Sequence, residues 1–215
     1  IPPSVVGDQD NNVPALPQAV VGLTTGQPWP HPFREDPAAG ASNAASDYAM
    51  NYWVTDLRTS GANATDNVPA TTKDPATWQH LNFAAMSLGT QGKLPIANQS
   101  LTENLLASGA LQWPQPYPTV NRPDNSGVDD LWHAAINGHG RFVNASNPDQ
   151  LASGLARILL AALSLLSLAA QPVPETYRFI DDLVEKLDLP PEALAGWLKE
   201  LKLALGCGGA VEGSN

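Results

Sequence analysis

Cysteine is nearly absent: the 215 residues contain one, Cys207. A lone thiol closes no internal disulfide, so the chain must be held by packing even in an oxidising compartment. Positive charge is also scarce. Eleven Lys and Arg stand against 21 Asp and Glu, giving a formal net charge of −10, and no basic run is present to track a nucleic-acid backbone. The deficit is spread along the chain, with seven bases against thirteen acids up to position 165 and four against eight beyond it. Long apolar runs are missing as well. Residues 158–170 are apolar almost all round, but ~13 residues fall short of the ~20 that a membrane span needs, and the stretch reads as a buried helix. Residues 1–20 carry no charged region followed by an apolar one, so no signal peptide is in view. The opening Ile1-Pro2-Pro3 reads as the interior of a longer protein whose export signal lies upstream.

The motifs of common enzymes are absent too. There is no Gly-x-Ser-x-Gly, no His-Glu-x-x-His, no Gly-x-x-x-x-Gly-Lys and no Gly-x-Gly-x-x-Gly, which disfavours an enzyme and leaves no catalytic residue and no cofactor to assign. Cys207 sits between glycines with nothing cationic beside it to lower its pKa.

Proline, by contrast, is abundant and uneven: 15 of 20 fall before residue 124 and cut this region into short elements joined by long loops. Residues 20–24 read as a short strand. Gln27-Pro28-Trp29-Pro30-His31-Pro32-Phe33 must be extended, because each residue before a proline is pushed out of the helical region; burying Trp29 and Phe33 would hold it down. Residues 39–58 read as a helix with Ala45, Tyr48, Ala49, Tyr52 and Trp53 on one face and Asp47, Asn51 and Asp56 off it. Residues 77–88 read as a helical turn running into a buried strand closed by Gly89, and residues 100–108 as a short helix ended by Gly109.

Residues 128–142 read as a helix, a glycine-rich turn and a short strand. Asn147-Pro148-Asp149-Gln150 then starts a helix, with Asn as cap, Pro at the first helical position and Gln closing a capping box. Leu151, Leu155, Ile158, Leu159 and Leu163 form its stripe. Tyr52, Trp53, Trp132, Leu151 and Leu155 are expected in one core.

Asp129, Asp130 and His133 are the one acid–histidine cluster. Positions three or four apart share a helix face, so the set suits a metal or acid–base chemistry. The competing reading is structural: Asp at a helix start complements the dipole and His133 beside Trp132 is a buried hydrogen-bonding group. His80 reads as a satisfied core histidine, and His139, between Gly138 and Gly140, as an exposed turn residue. Trp29, Trp113 and Tyr117, all in proline-rich loops, are candidates for an aromatic binding surface, against a role in packing beneath those loops.

Composition changes at Gln171-Pro172-Val173-Pro174. Beyond it lie a charged amphipathic segment, the helix start Leu189-Pro190-Pro191-Glu192, a helix carrying Leu194, Trp197, Leu198, Leu201 and Leu205, and the stop Gly206-Cys207-Gly208-Gly209. This tail is expected to be autonomous or loosely attached.

Three separated blocks carry a family resemblance. They are Tyr48-Ala49-Met50-Asn51-Tyr52-Trp53 with Thr55-Asp56-Leu57-Arg58, then Asn67-Val68-Pro69 and Asp74-Pro75-Ala76-Thr77-Trp78-Gln79-His80-Leu81, then the run from Val128 through Asp129-Asp130-Leu131-Trp132-His133 to Asn147-Pro148-Asp149. Together they resemble the PilY family of type IV pilus biogenesis and tip-adhesin proteins over residues 1–160. The resemblance implies an α/β fold, the later half of a von Willebrand factor A-like (Rossmann-like) domain with its early strands missing. It also implies pilus assembly and surface adhesion in the periplasm or at the cell surface, with minor pilins or a host surface as partners. A-type domains commonly hold a divalent ion through Asp-x-Ser-x-Ser, which these 215 residues lack, so no metal is expected.

Residues 186–213 resemble the first helix and turn of the SUI-type domain of translation initiation factors. Residues from about 166 onward are read as a foreign or mis-joined extension, which gives domains at 1–165 and 166–215. An alternative function in RNA or ribosome binding would rest on this tail. Its net acidity argues against nucleic acid as a partner.

Overall fold

The computed structural model describes residues 5–35, 41–61, 64–116 and 125–169. Tyr117, Cys207 and the tail expected at 166–215 lie outside those residues, apart from the end of one helix. The chain divides into two compact units, Ile1–Asn147 and Pro148–Asn215. This division falls between residues 147 and 148, whereas the boundary expected from sequence falls at 165.

In the first unit the order is α1 (Ala45–Val54), β1 (Phe83–Leu88), α2 (Gln99–Ala107), α3 (Ser126–Asn137) and β2 (His139–Ala145). The fold is mixed α/β with a small parallel sheet: β1 pairs with β2 from Phe83↔His139 to Leu88↔Ala145. Parallel neighbours require a crossover, supplied here by α2 and α3. The register slips between Phe83 and Ala85, beside Gly140. A Cβ at Gly140 would lie 1.9 Å from the Phe83 carbonyl oxygen, so only glycine lets the two backbones approach there.

The strand expected at residues 20–24 does not form. The Leu23 N–H donates to the Val20 carbonyl (3.1 Å) and the Gln27 N–H to Thr24 (3.0 Å), so local turns take the groups a ladder would need. The helix expected over 39–58 is shorter, Ala45–Val54. Its last carbonyls are claimed from outside: Tyr52 accepts from the Leu81 N–H (3.2 Å) and Trp53 from the Trp78 indole (2.8 Å). With Thr55 extended, these partners replace a further turn. The buried face of α1 is Ser46, Asp47, Ala49, Met50, Trp53 and Val54. Tyr48 and Tyr52 are only half-buried, and Asp47, placed off the face by periodicity, is inside.

Among the described residues, the buried apolar side chains form two clusters. Val13, Trp29, Met50, Trp53, Val54, Ala76 and Trp78 form one; Ala85, Leu94, Leu106, Trp113, Trp132, Ala135 and Phe142 form the other. Trp53 and Trp132 therefore do not share the single core expected from sequence. α3 packs against α1 and against both strands.

The second unit is described over α4 (Pro148–Ala169), the helix that the Asn-Pro-Asp-Gln signal predicts. Within this helix Leu155 is exposed and Leu151 half-buried. Among the described residues, no helix is long and apolar enough to cross a membrane.

Trp132 is 1% exposed, stacks on Phe142 at 5.3 Å and donates its indole N–H to Glu103 (3.2 Å). Trp132→Ala should therefore cost ~3–5 kcal/mol in denaturant unfolding. A loss below ~1 kcal/mol would show that the side chain is not a core element.

Candidate functional site

The structure separates the three residues that α3 appeared to bring together. Asp129 turns to the loop after β1, where its carboxylate accepts from the Lys93 N–H (2.6 Å) and the Leu94 N–H (3.1 Å). That loop passes so close that a Cβ at Gly92 would lie 2.0 Å from Asp129 Oδ1. Asp130 turns to α1, accepting from the Ala45 N–H (2.9 Å) and the Ser46 N–H (3.1 Å). It thus supplies from 85 residues away the cap that Ala44 lacks, with a charge that suits the helix dipole. His133 donates from Nε2 to the Phe33 carbonyl (2.9 Å) and stacks on Trp113 at 4.5 Å. The three do not converge on one point.

A different carboxylate set does converge. One oxygen each of Asp8, Asp10 and Asp47 lies within 4.8 Å of the others. The segment 6–9 is strapped to the start of α1. Val6 and Gly7 N–H groups donate to Asn43 Oδ1 (2.9 Å each), the Gln9 N–H to Asp47 Oδ1 (2.7 Å), and Asp47 Oδ2 accepts from the Ala44 N–H (2.9 Å). Glu35 stands nearby, accepting from the Ala41 N–H.

Burial pushes the Asp10 carboxyl up to about 9, with Glu35, Asp47 and Asp8 adding like charge. Glu35 rises to about 7 and Asp47 to about 6, burial again the main cause, opposed by their backbone hydrogen bonds. His133 Nε2 lies 3.5 Å from Asp10 Oδ2, close enough to count as an ion pair by distance. Burial lowers the His133 pKa to about 4, against its bond to Phe33, so the contact joins a neutral imidazole to the pocket. Oxygen-only donors of this kind are those a hard divalent cation takes. Sequence reading missed the set because Asp47 is 37 residues from Asp10; the alternation Asp8-Gln9-Asp10-Asn11-Asn12 was the one local signal.

The tryptophan candidates are interior. Trp29 is 1% exposed and donates to the carbonyls of Gln9 (3.1 Å) and Asn12 (3.2 Å). Trp113, also buried, donates to Pro32 (2.7 Å). Both anchor loops instead of facing solvent. His139 also differs from its expected exposure: its ring stacks on Trp53 at 4.1 Å and on Phe33 at 5.2 Å.

Asp74 is the hub of the remaining polar network. Trp53 donates to its Oδ1 (3.0 Å), and His80 (2.8 Å) and Asn82 (2.7 Å) to its Oδ2. Burial raises the Asp74 pKa, but these three donors outweigh it and leave the carboxyl at about 2. Burial lowers the His80 pKa, and its bonds to Asp74 and to the Trp78 carbonyl raise it by more, for a net shift above 6.5. With the Trp78 carbonyl on Nδ1 and the Asp74 carboxylate on Nε2, the protonated form of His80 finds an acceptor for each of its N–H groups.

The depressed Asp74 contributes stability above its unfolded pKa of 3.8 and loses it as pH falls through about 2. The raised His80 contributes fully below 6.5 and loses it as pH climbs through its higher folded value. The stability gap between wild type and His80→Gln should thus be widest between about pH 4 and 6.5 and narrow toward pH 9, read from melting temperatures across pH. A gap that widens with alkalinity would contradict the pairing.

No protein-family profile matches the chain, and no solved structure matches it. Curated relatives do. The type IV pilus biogenesis factor PilY1 of Pseudomonas aeruginosa strain PAK is 31% identical over 174 residues, covering 73% of this chain and 14% of that protein. PilY1 of strain PAO1 is 30% identical over the same shares. PilY1 of strain UCBPP-PA14 is 36% identical over 148 residues, covering 59% of this chain and 12% of that protein. The chain thus spans about one seventh of the length of the relatives it matches. Across the larger part of its sequence, this chain is a relative of the PilY family of type IV pilus biogenesis factors.

Proposed function

We propose that this chain is the later part of a von Willebrand factor A-like domain that serves type IV pilus biogenesis by associating with other proteins. On this reading the domain is exported to the periplasm or cell surface and meets minor pilins or an external surface. The observation that carries it is the identity of about one residue in three to PilY1 over 73% of the chain. The parallel strand pair with helical crossover is compatible with an open α/β sheet of which β1 and β2 are two neighbours.

The side chains support association over catalysis. Asp129 and Asp130 accept from backbone N–H groups, and His133 donates to the Phe33 carbonyl. The histidine–aspartate pair of His80 and Asp74 is hydrogen-bonded in turn to Trp53 and Asn82, as a structural network would be. The domain division at 1–165 and 166–215, with the tail as a separate helical extension, belongs to the same proposal. The translation reading gains nothing from the relatives, whose names concern pili.

The test is made in the bacterium that encodes the chain, by deleting the coding region and restoring it from a plasmid. Surface pili counted by electron microscopy should disappear on deletion and return on complementation. Pili in wild-type number after deletion would overturn the proposal.

A further inference from the structure

His139 holds a backbone conformation that its residue type does not favour. It lies in the left-handed region at φ 52°, where glycine is the ordinary residue, so its surroundings must keep it there. The ring stacks on Trp53 at 4.1 Å and on Phe33 at 5.2 Å, and Nδ1 lies 2.6 Å from the Lys73 carbonyl oxygen. One imidazole thus ties the end of α1, the 30–33 loop and the 71–74 turn to the first residue of β2.

A carbonyl only accepts, so Nδ1 carries the hydrogen and, in the neutral ring, Nε2 carries the lone pair. That second nitrogen is buried, with no hydrogen-bond partner among the described residues. A proton on it would create a buried N–H donor with nothing to receive it, and such a group forfeits its hydration without return. The faces of Trp53 and Phe33 attract a cation and act the other way. Two titratable groups face the ring, both from the segment between α1 and β1. Asp74 favours the proton, protonated His80 opposes it, and the two are paired with each other at 2.8 Å. Lys73 meets the ring through its carbonyl, while α1, the 30–33 loop and β1 bring Trp53, Phe33 and the strand partner Phe83. Burial is the largest influence and holds the His139 pKa below 6.5. The contribution of the neutral ring is therefore complete above pH 6.5 and is lost as pH falls through the lower folded value.

We propose that His139 is an acid-sensitive latch: the uncharged ring holds Phe33 and the Lys73 carbonyl to the start of β2, and a proton on Nε2 turns the ring out to solvent and loosens the 30–33 loop. The residue is half-buried, which gives the ring a way out without opening the core. The latch stands on this chain's own geometry and does not depend on the pilus reading.

The experiment titrates the full 215-residue chain, isotope-labelled, from about pH 8 to 5, followed by NMR and by amide exchange corrected for the intrinsic rate. The His139 ring signals should titrate with a midpoint below 6.5. The Phe33 amide, which donates to the Pro30 carbonyl (3.0 Å), should shift with the same midpoint and lose protection at least ~10-fold. The Ser46 and Leu94 amides, held by Asp130 and Asp129, should keep theirs. In His139→Asn, a replacement that tolerates the left-handed region, the Phe33 response should vanish; if that variant does not fold, the wild-type titration decides. A midpoint at or above 6.5, a Phe33 amide that does not follow it, or an unchanged Phe33 response in the variant would overturn the proposal. So would loss of protection at all three amides together, which is global unfolding and not a latch.

Discussion

Two adjacent carboxylates on α3 hold the first unit together. Asp129 and Asp130 point in different directions from one helical turn, and each grips two backbone N–H groups on a segment distant in sequence. Asp130 completes the start of α1; Asp129 pins the loop that leaves β1. Charged acceptors on paired backbone donors are roughly twice as strong as neutral ones, and here they replace caps that the local sequence does not supply. Through them α3 fixes the α1 side of the unit and the sheet side at once.

The tryptophans work on the same principle with the opposite polarity. Trp29, Trp53, Trp78, Trp113 and Trp132 all bury their rings and spend the single indole N–H on a carbonyl or carboxylate. Proline-rich loops have few N–H groups and make no ladders, so they cannot hold themselves. A large ring in the core with one directed hydrogen bond to the loop is what keeps them down. In a unit without disulfides this anchoring stands in for covalent staples.

Much of this was legible where the signal is local. The run of residues 128–137, the glycines around His139 and the Asn-Pro start of α4 predicted a helix, a turn, a strand and a helix in that order, and the third family block lies on those elements. Signals that depend on distant partners were not legible. α1 begins where Asp130 caps it and ends where residues 78–81 take its carbonyls, and neither position is written in its own periodicity. Asp47 reads as a solvent residue until the Gln9 N–H is placed on it. His139 reads as exposed because the flanking glycines reveal the turn but not the rings of Trp53 and Phe33 that close over it. The acidic pocket joins residues 8 and 10 to residue 47, a distance over which no spacing rule applies.

The division of labour between the twin carboxylates is most directly tested by amide hydrogen exchange on Asp129→Asn and Asp130→Asn. Protection should fall at Lys93 and Leu94 in the first variant, and at Ala45 and Ser46 in the second, each leaving the other pair protected. Loss at all four amides in both variants, or at none in either, would contradict the account of α3 as a two-sided clamp.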